Sequence, residues 1–82
     1  MFYVDSLKSY PKKRKKYCHL VSDISFRDLH EFVQGKLNIP RSRFHKNHYD
    51  LTEEERSLAL TFNTKEVTSR EIVCILKGLK NE

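Results

Sequence analysis

Residues 17–33 read Tyr17-Cys18-His19-Leu20-Val21-Ser22-Asp23-Ile24-Ser25-Phe26-Arg27-Asp28-Leu29-His30-Glu31-Phe32-Val33, and the fold class turns on the change of period inside them. Tyr17 to Val21 has the aromatic and β-branched content of a short strand, with Tyr17, His19 and Val21 on one face and Cys18 and Leu20 on the other. Ser22-Asp23 closes it. From Ser25 the period becomes helical. Phe26, Leu29, Phe32, Val33 and Leu37 fall on one stripe, the Ser25 hydroxyl can accept from a free backbone N–H, and Asp28 stands at the reciprocal capping position. The helix frays from Gly35 to Asn38 and ends at Ile39-Pro40, because a residue before proline avoids helical geometry.

On the N-terminal side, Phe2 to Leu7 predicts another strand, and Pro11 opens the run Lys12-Lys13-Arg14-Lys15-Lys16. Five consecutive cations repel one another, so residues 11–16 are expected as a solvated loop between the two strands. On the C-terminal side, residues 39–51 form a polar connection in which Arg43, His45, Lys46, His48 and Asp50 alternate with Phe44 and Tyr49, with room for a short strand at His48 to Leu51. That density of functional side chains is unusual for a linker. Thr52 with Glu55 then satisfies a capping box, and the helix it starts turns Leu58, Ala59 and Phe62 inward; its three glutamates complement the positive end. Asn63-Thr64 is a turn and Glu66-Val67 a brief strand. Thr68 with Glu71 repeats the capping box ahead of Ile72, Val73, Ile75, Leu76 and Leu79. The expectation is one small α/β domain over residues 1–82, with two or three short strands and three helices in two or three layers, and with strand pairing undetermined.

Eighty-two residues allow one core and a shallow site rather than an enclosed cavity. Hydrophobic residues at 38% suffice for that core, while charged residues at 33% with a net charge of +5 favour anionic partners: nucleic acid, nucleotides or acidic protein surfaces. Cys18 and Cys74 lie far apart without the dense framework of a small secreted domain, and are expected as two reduced, buried thiols. The first residues are too poor in apolar side chains for a signal peptide, and no stretch has the length of a membrane span, so a soluble cytoplasmic protein is expected.

Cys18-His19-Leu20-Val21-Ser22-Asp23, Leu29-His30-Glu31-Phe32, Phe44, His48-Tyr49-Asp50 and Glu66-Val67-Thr68-Ser69-Arg70-Glu71 together resemble a family of small uncharacterised proteins of bacteria and their phages. The resemblance spans nearly the whole chain and implies that His19, Asp23, His30, His48, Asp50 and Arg70 occupy recurrent family positions; it implies no activity. Asn63-Thr64 stands where the family often has a small Gly-Ala pair, and asparagine tolerates the left-handed geometry such a turn needs. The basic run is not a feature of that family.

A ligand site is expected from His19, Asp23, His48, Asp50, Ser69 and Arg70. His19 lies on a strand face where Asp23 or Asp5 can fix its tautomer and raise its basicity, suiting it to act as a general base or to contact phosphate. The competing reading is a buried polar network that specifies the fold. Arg70, in the first turn of the last helix, can reach a phosphate bidentately with help from Ser69 and the helix N-terminus. If the strands run parallel, Asp5, Ser22-Asp23 and Thr68-Ser69-Arg70 share the edge where open α/β sheets bind ligands; a hairpin between the first two strands would send Asp5 to the opposite end. Lys12, Lys13, Arg14, Lys15 and Lys16 can contact nucleic-acid phosphates, with Tyr10 and Tyr17 flanking them for base stacking. His45-x-x-His48-x-Asp50 offers three possible metal ligands, but a closed structural zinc site takes four, usually with thiolates; no metal is assigned and no cofactor is implied.

Three functions follow. The first is a non-enzymatic accessory module of bacterial or phage type that binds a phosphate-bearing ligand: nucleic acid, or a nucleotide-type small molecule held as a sequestered signal. The second is a small metal-dependent hydrolase or nuclease in which Asp5, Asp23, His48 and Asp50 hold a divalent ion and His19 is the base. The third is a protein-interaction module, with self-association or a host protein as partner. A Gly-rich phosphate loop, a nucleophile elbow and a Cys-x-x-Cys pair are all missing from the sequence.

Overall fold

A computed structural model describes residues 1–79. The chain is α/β, with five strands rather than the two or three expected. Strands β1 (Phe2–Val4), β2 (Tyr17–Ser22), β3 (Phe44–His45), β4 (His48–Thr52) and β5 (Lys65–Glu66) form one mixed sheet in the order β3-β4-β2-β1-β5. β1 pairs antiparallel with β2, β2 with β4 and β4 with β3, while β5 runs parallel to β1. The undercount has a local cause. β3 is two residues long, and it turns into β4 through Lys46, in left-handed geometry at φ 57°, and Asn47, rather than through the Asn-Gly pair that marks such hairpins in a sequence.

The first helix, α1 (Phe26–Phe32), starts as the capping pattern predicts, with Ser25 Oγ accepting from the Asp28 N–H at 3.0 Å. The reciprocal half does not form, because the Asp28 carboxylate accepts from Ser22 Oγ–H at 2.9 Å instead. The chain continues through a π-type turn over Val33–Leu37 and stops at Asn38, which is left-handed at φ 57°. Helices α2 (Glu53–Leu60) and α3 (Ser69–Gly78) both open on complete capping boxes, Thr52 with Glu55 and Thr68 with Glu71. Asn63, at φ 60°, makes the turn expected of it.

Alternation along the strands divides the sheet chemically. Val4, Cys18, Leu20, Tyr49 and Leu51 point to one face, where α1, the π-type turn and α2 bury them with Leu29, Phe32, Val33, Leu37, Ile39 and Ala59. A fully buried aliphatic side chain of this kind contributes about 2 kcal/mol, so this face carries most of the stability. The inward set on α2 is smaller than expected: Ala59 is buried, but Leu58 and Phe62 are exposed. On α3, Ile72 is buried and Val73 exposed. The thiols also differ, Cys18 being buried, with burial pushing its pKa up to about 12, and Cys74 exposed. Two buried thiols were expected, but Cys74 falls on the outward side of α3. No helix among the described residues is long and apolar enough to cross a membrane.

Candidate functional site

The opposite face of the sheet is polar, and α3 lies along it. The antiparallel register sets His19 of β2 directly across from Asp50 of β4. His48 lies two residues before Asp50 and therefore on the same face. Because Val4 pairs with Leu20, the next residue out of β1, Asp5, lies beside His19, and the Asp5 N–H donates to the His19 carbonyl at 3.4 Å. A transverse row Asp5, His19, Asp50 thus crosses three chain segments, with His48 flanking it. The hairpin pairing of β1 with β2 decides this arrangement, since it brings Asp5 to His19 and sends Ser22-Asp23 to the far end of the sheet.

Asp5 anchors the row. Its side chain is fully buried and accepts from the His19 backbone N–H (2.7 Å), His19 Nδ1 (2.8 Å), Lys8 Nζ (3.0 Å) and Ser69 Oγ–H (3.1 Å). Burial pushes its carboxyl up, but the bonds from the His19 ring, the His19 backbone and Lys8 outweigh that and hold it well below the usual carboxylate range. An ionised carboxylate only accepts, so His19 Nδ1 carries the proton and Nε2 is the nitrogen left for a ligand. The bond to Asp5 raises the His19 pKa against the opposing effect of burial.

His48 is oriented in parallel fashion. Its Nδ1 lies 2.8 Å from Asn47 Oδ1 and its Nε2 3.3 Å from Asp50 Oδ1. Burial lowers its pKa, with the Asp50 charge opposing, so the neutral ring is favoured. The rings of His19 and His48 meet edge to face with centroids 4.7 Å apart. One ligand atom from each of His19, His48 and Asp50 lies within 4.8 Å of the others, a spacing that can hold one metal ion. Around that point Tyr10, Lys13 and His45 complete an open cleft of about 280 Å³. Lys8 and Tyr17 exchange backbone hydrogen bonds at 2.8 and 3.0 Å, which pinches the basic segment into a loop at its base. Lys13 lies over the Tyr17 ring, 4.6 Å from its centroid, at the cleft wall.

The remaining expected site residues are distributed as follows. Ser69 joins the row through Asp5 and also contacts Lys8 Nζ. Arg70 is exposed and, among the described residues, forms no ion pair. Asp23 accepts from Tyr3 Oη–H at 2.9 Å and pairs with the Met1 ammonium at 3.1 Å, remote from the row. His30 bonds Tyr49 Oη at 2.7 Å and packs edge-on against Phe44, with burial lowering its pKa; it is a boundary histidine on the other face. Of the basic run, Lys13 faces the cleft, while Arg14, Lys15 and Lys16 border a depression shared with Glu53 and Glu54 of α2.

Three supporting residues went unassigned in the sequence. Lys8 and Asn47 have no motif that marks them, though Asn47 sits next to a histidine already singled out. Arg43 donates to both carboxylate oxygens of Glu55, at 3.1 and 2.8 Å, and to the Asp50 carbonyl at 2.9 Å, so it ties the strand carrying Asp50 to the first turn of α2. Its presence among alternating polar and aromatic residues was the available signal. No curated protein and no solved structure matches this chain. Residues 2–79, nearly the entire sequence, match the family described as protein of unknown function DUF4031, and the chain belongs to that family.

Proposed function

We propose that this chain is a divalent-metal-dependent hydrolase of phosphoesters. The observation that supports it is the convergence of His19, His48 and Asp50, with each imidazole hydrogen-bonded at Nδ1, which leaves Nε2 as the nitrogen available to an ion. A second-sphere carboxylate or amide oxygen on Nδ1 is the usual partner of a metal-bound histidine. Three protein ligands leave coordination positions open to water and substrate, as in catalytic rather than structural sites. An ion held there supplies Lewis-acid polarisation of a phosphoryl oxygen and an activated water. His19, read from the sequence as a base, becomes a ligand in this account. Asp50 argues against direct binding of an anion, since its carboxylate would repel a phosphate unless a cation lay between them. Lys13 and Lys8, together with the net charge of +5, favour a phosphorylated substrate over a neutral one.

A second reading keeps the cleft and drops turnover. The protein would then be an accessory module, of the bacterial or phage type that the family resemblance implies and acting in the cytoplasm, which holds a phosphate-bearing ligand through the same ion. The exposed Arg70, next to Ser69 in the chain and in no ion pair among the described residues, favours it. Hydrolysis of bis(4-nitrophenyl) phosphate separates the two. After EDTA treatment, adding back Mn²⁺, Co²⁺ or Zn²⁺ should restore release of 4-nitrophenolate, and His48→Ala and Asp50→Asn should reduce it to background. Release that survives EDTA, or is equal in both variants, refutes the hydrolase; metal binding without release leaves the accessory module.

A further inference from the structure

His19 and His48 form a ridge between two clefts. On one side lies the cleft of Tyr10, Lys13, His45 and Asp50, about 280 Å³; on the other lies a cleft of about 300 Å³ lined by Lys8, Asn47, Ser69 and the α3 side chains Ile72, Val73 and Leu76. The two clefts share the imidazole pair, so an ion held by His19, His48 and Asp50 lies in the first cleft, against the wall that it shares with the second.

The two clefts differ in chemistry. The first is cationic and aromatic. Lys12 and Lys13 form no ion pair among the described residues, whereas Arg14, Lys15 and Lys16 face the glutamates of α2. Tyr10 is half-buried and tilted against Tyr17, their centroids 6.5 Å apart, so it presents an anchored ring to the cleft. The second has an apolar wall on which Val73 is half exposed, with Lys8 at its border. A phosphodiester with its phosphorus at the ridge therefore finds space for an organic group in each cleft, with Lys13 in the wall of one and Lys8 in the wall of the other.

Resting on the phosphoester reading above, we infer that the substrate is a single-stranded polynucleotide lying across the His19–His48 ridge, one nucleoside against Tyr10 and the next against the Ile72, Val73 and Leu76 wall. A mononucleotide fills one cleft and leaves the other empty. A duplex keeps its bases paired and stacked, and so cannot seat a base in either cleft. Base–aromatic stacking together with phosphate neutralisation is the general mode of binding to single strands.

The test is fluorescence anisotropy in Mn²⁺, using a short fluorescein-labelled oligothymidylate with cleavage-resistant phosphorothioate linkages, a duplex of equal length and linkage, and thymidine monophosphate as competitor. Binding of the single strand should exceed that of the duplex and resist the mononucleotide. Tyr10→Ala should weaken it about ten-fold while Tyr10→Phe retains it, and Val73→Asp should weaken it from the other cleft. Lys13→Ala should reduce the slope of log affinity against log salt by about 0.7, the value for one phosphate of a single strand. Equal or tighter duplex binding overturns the inference, as does indifference to Tyr10→Ala, Val73→Asp and Lys13→Ala together. Binding is read apart from turnover, so failure here is separable from failure of the hydrolase: 4-nitrophenolate release without oligonucleotide binding would leave the hydrolase and remove the polynucleotide.

Discussion

Asp5 is the residue on which the polar face depends. It is fully buried as a carboxylate, a position that costs stability unless every oxygen is used, and four donors from three segments, one of them a backbone N–H, meet that need. The arrangement rigidly orients His19, because ring and backbone of the same residue bond the two oxygens of one carboxylate. Replacing it therefore has two separable effects. Asp5→Asn keeps the shape but removes the charge facing Lys8 and His19, and should cost about 3 kcal/mol in urea unfolding. At temperatures where the variant is folded, it should also weaken divalent-ion affinity about ten- to hundred-fold, the range for loss of a second-sphere carboxylate. A stability loss with unchanged ion affinity would mean that Asp5 serves only the fold. His19 was legible as a strand residue whose partner was Asp5 or Asp23, but the choice between them depended on strand direction, which no residue in the segment encodes.

At the scale of elements, the strand carrying His48 and Asp50 is held by Arg43 and the first turn of α2. Glu55 works twice there, closing the capping box with Thr52 and accepting both Arg43 donors. Burial pushes its carboxyl up, yet Arg43 and the Thr52 N–H bring it below the ordinary glutamate value. A carboxyl depressed on folding contributes stability that is fully present above its unfolded value, about 4.3, and is lost as pH falls through the folded one. Glu55→Gln preserves a side chain able to close the capping box while removing the ion pair, so it should destabilise the protein by about 1 kcal/mol at pH 7. Unfolding followed against pH should show the gap between variant and parent closing below about pH 4. A constant gap would assign the effect to packing. The capping boxes of α2 and α3 were readable directly, since each needs only a threonine and a glutamate three residues apart. The β3–β4 hairpin was not, because its two-residue strand carries no period and its Lys46-Asn47 turn no customary signature.

Over the whole molecule, the two faces of the sheet do different work. One buries aliphatic side chains under α1 and α2, and its pattern was visible in the alternation of Cys18 and Leu20 and in the helical stripe from Phe26 to Leu37. The other carries His19, His48, Asp50 and Asp5 under α3, where burying polar groups adds little to stability and binding is the more natural purpose. The expected set of six was partly assembled. His19, His48 and Asp50 converge, Ser69 supports them, Arg70 stands outside, and Asp23 lies at the far end because β1 and β2 are antiparallel. Side-chain types and helix starts are local properties; the convergence of residues 5, 19, 48, 50 and 69 is a property of topology. The hydrolase proposed above requires that His19, His48 and Asp50 hold one divalent ion. Titration of the metal-free protein with Co²⁺, followed by visible absorption, tests it most directly. Saturation at one ion per chain is expected, with ligand-field bands abolished by His19→Ala, His48→Ala or Asp50→Ala; absence of those bands, or bands unchanged in all three variants, would rule the metal site out.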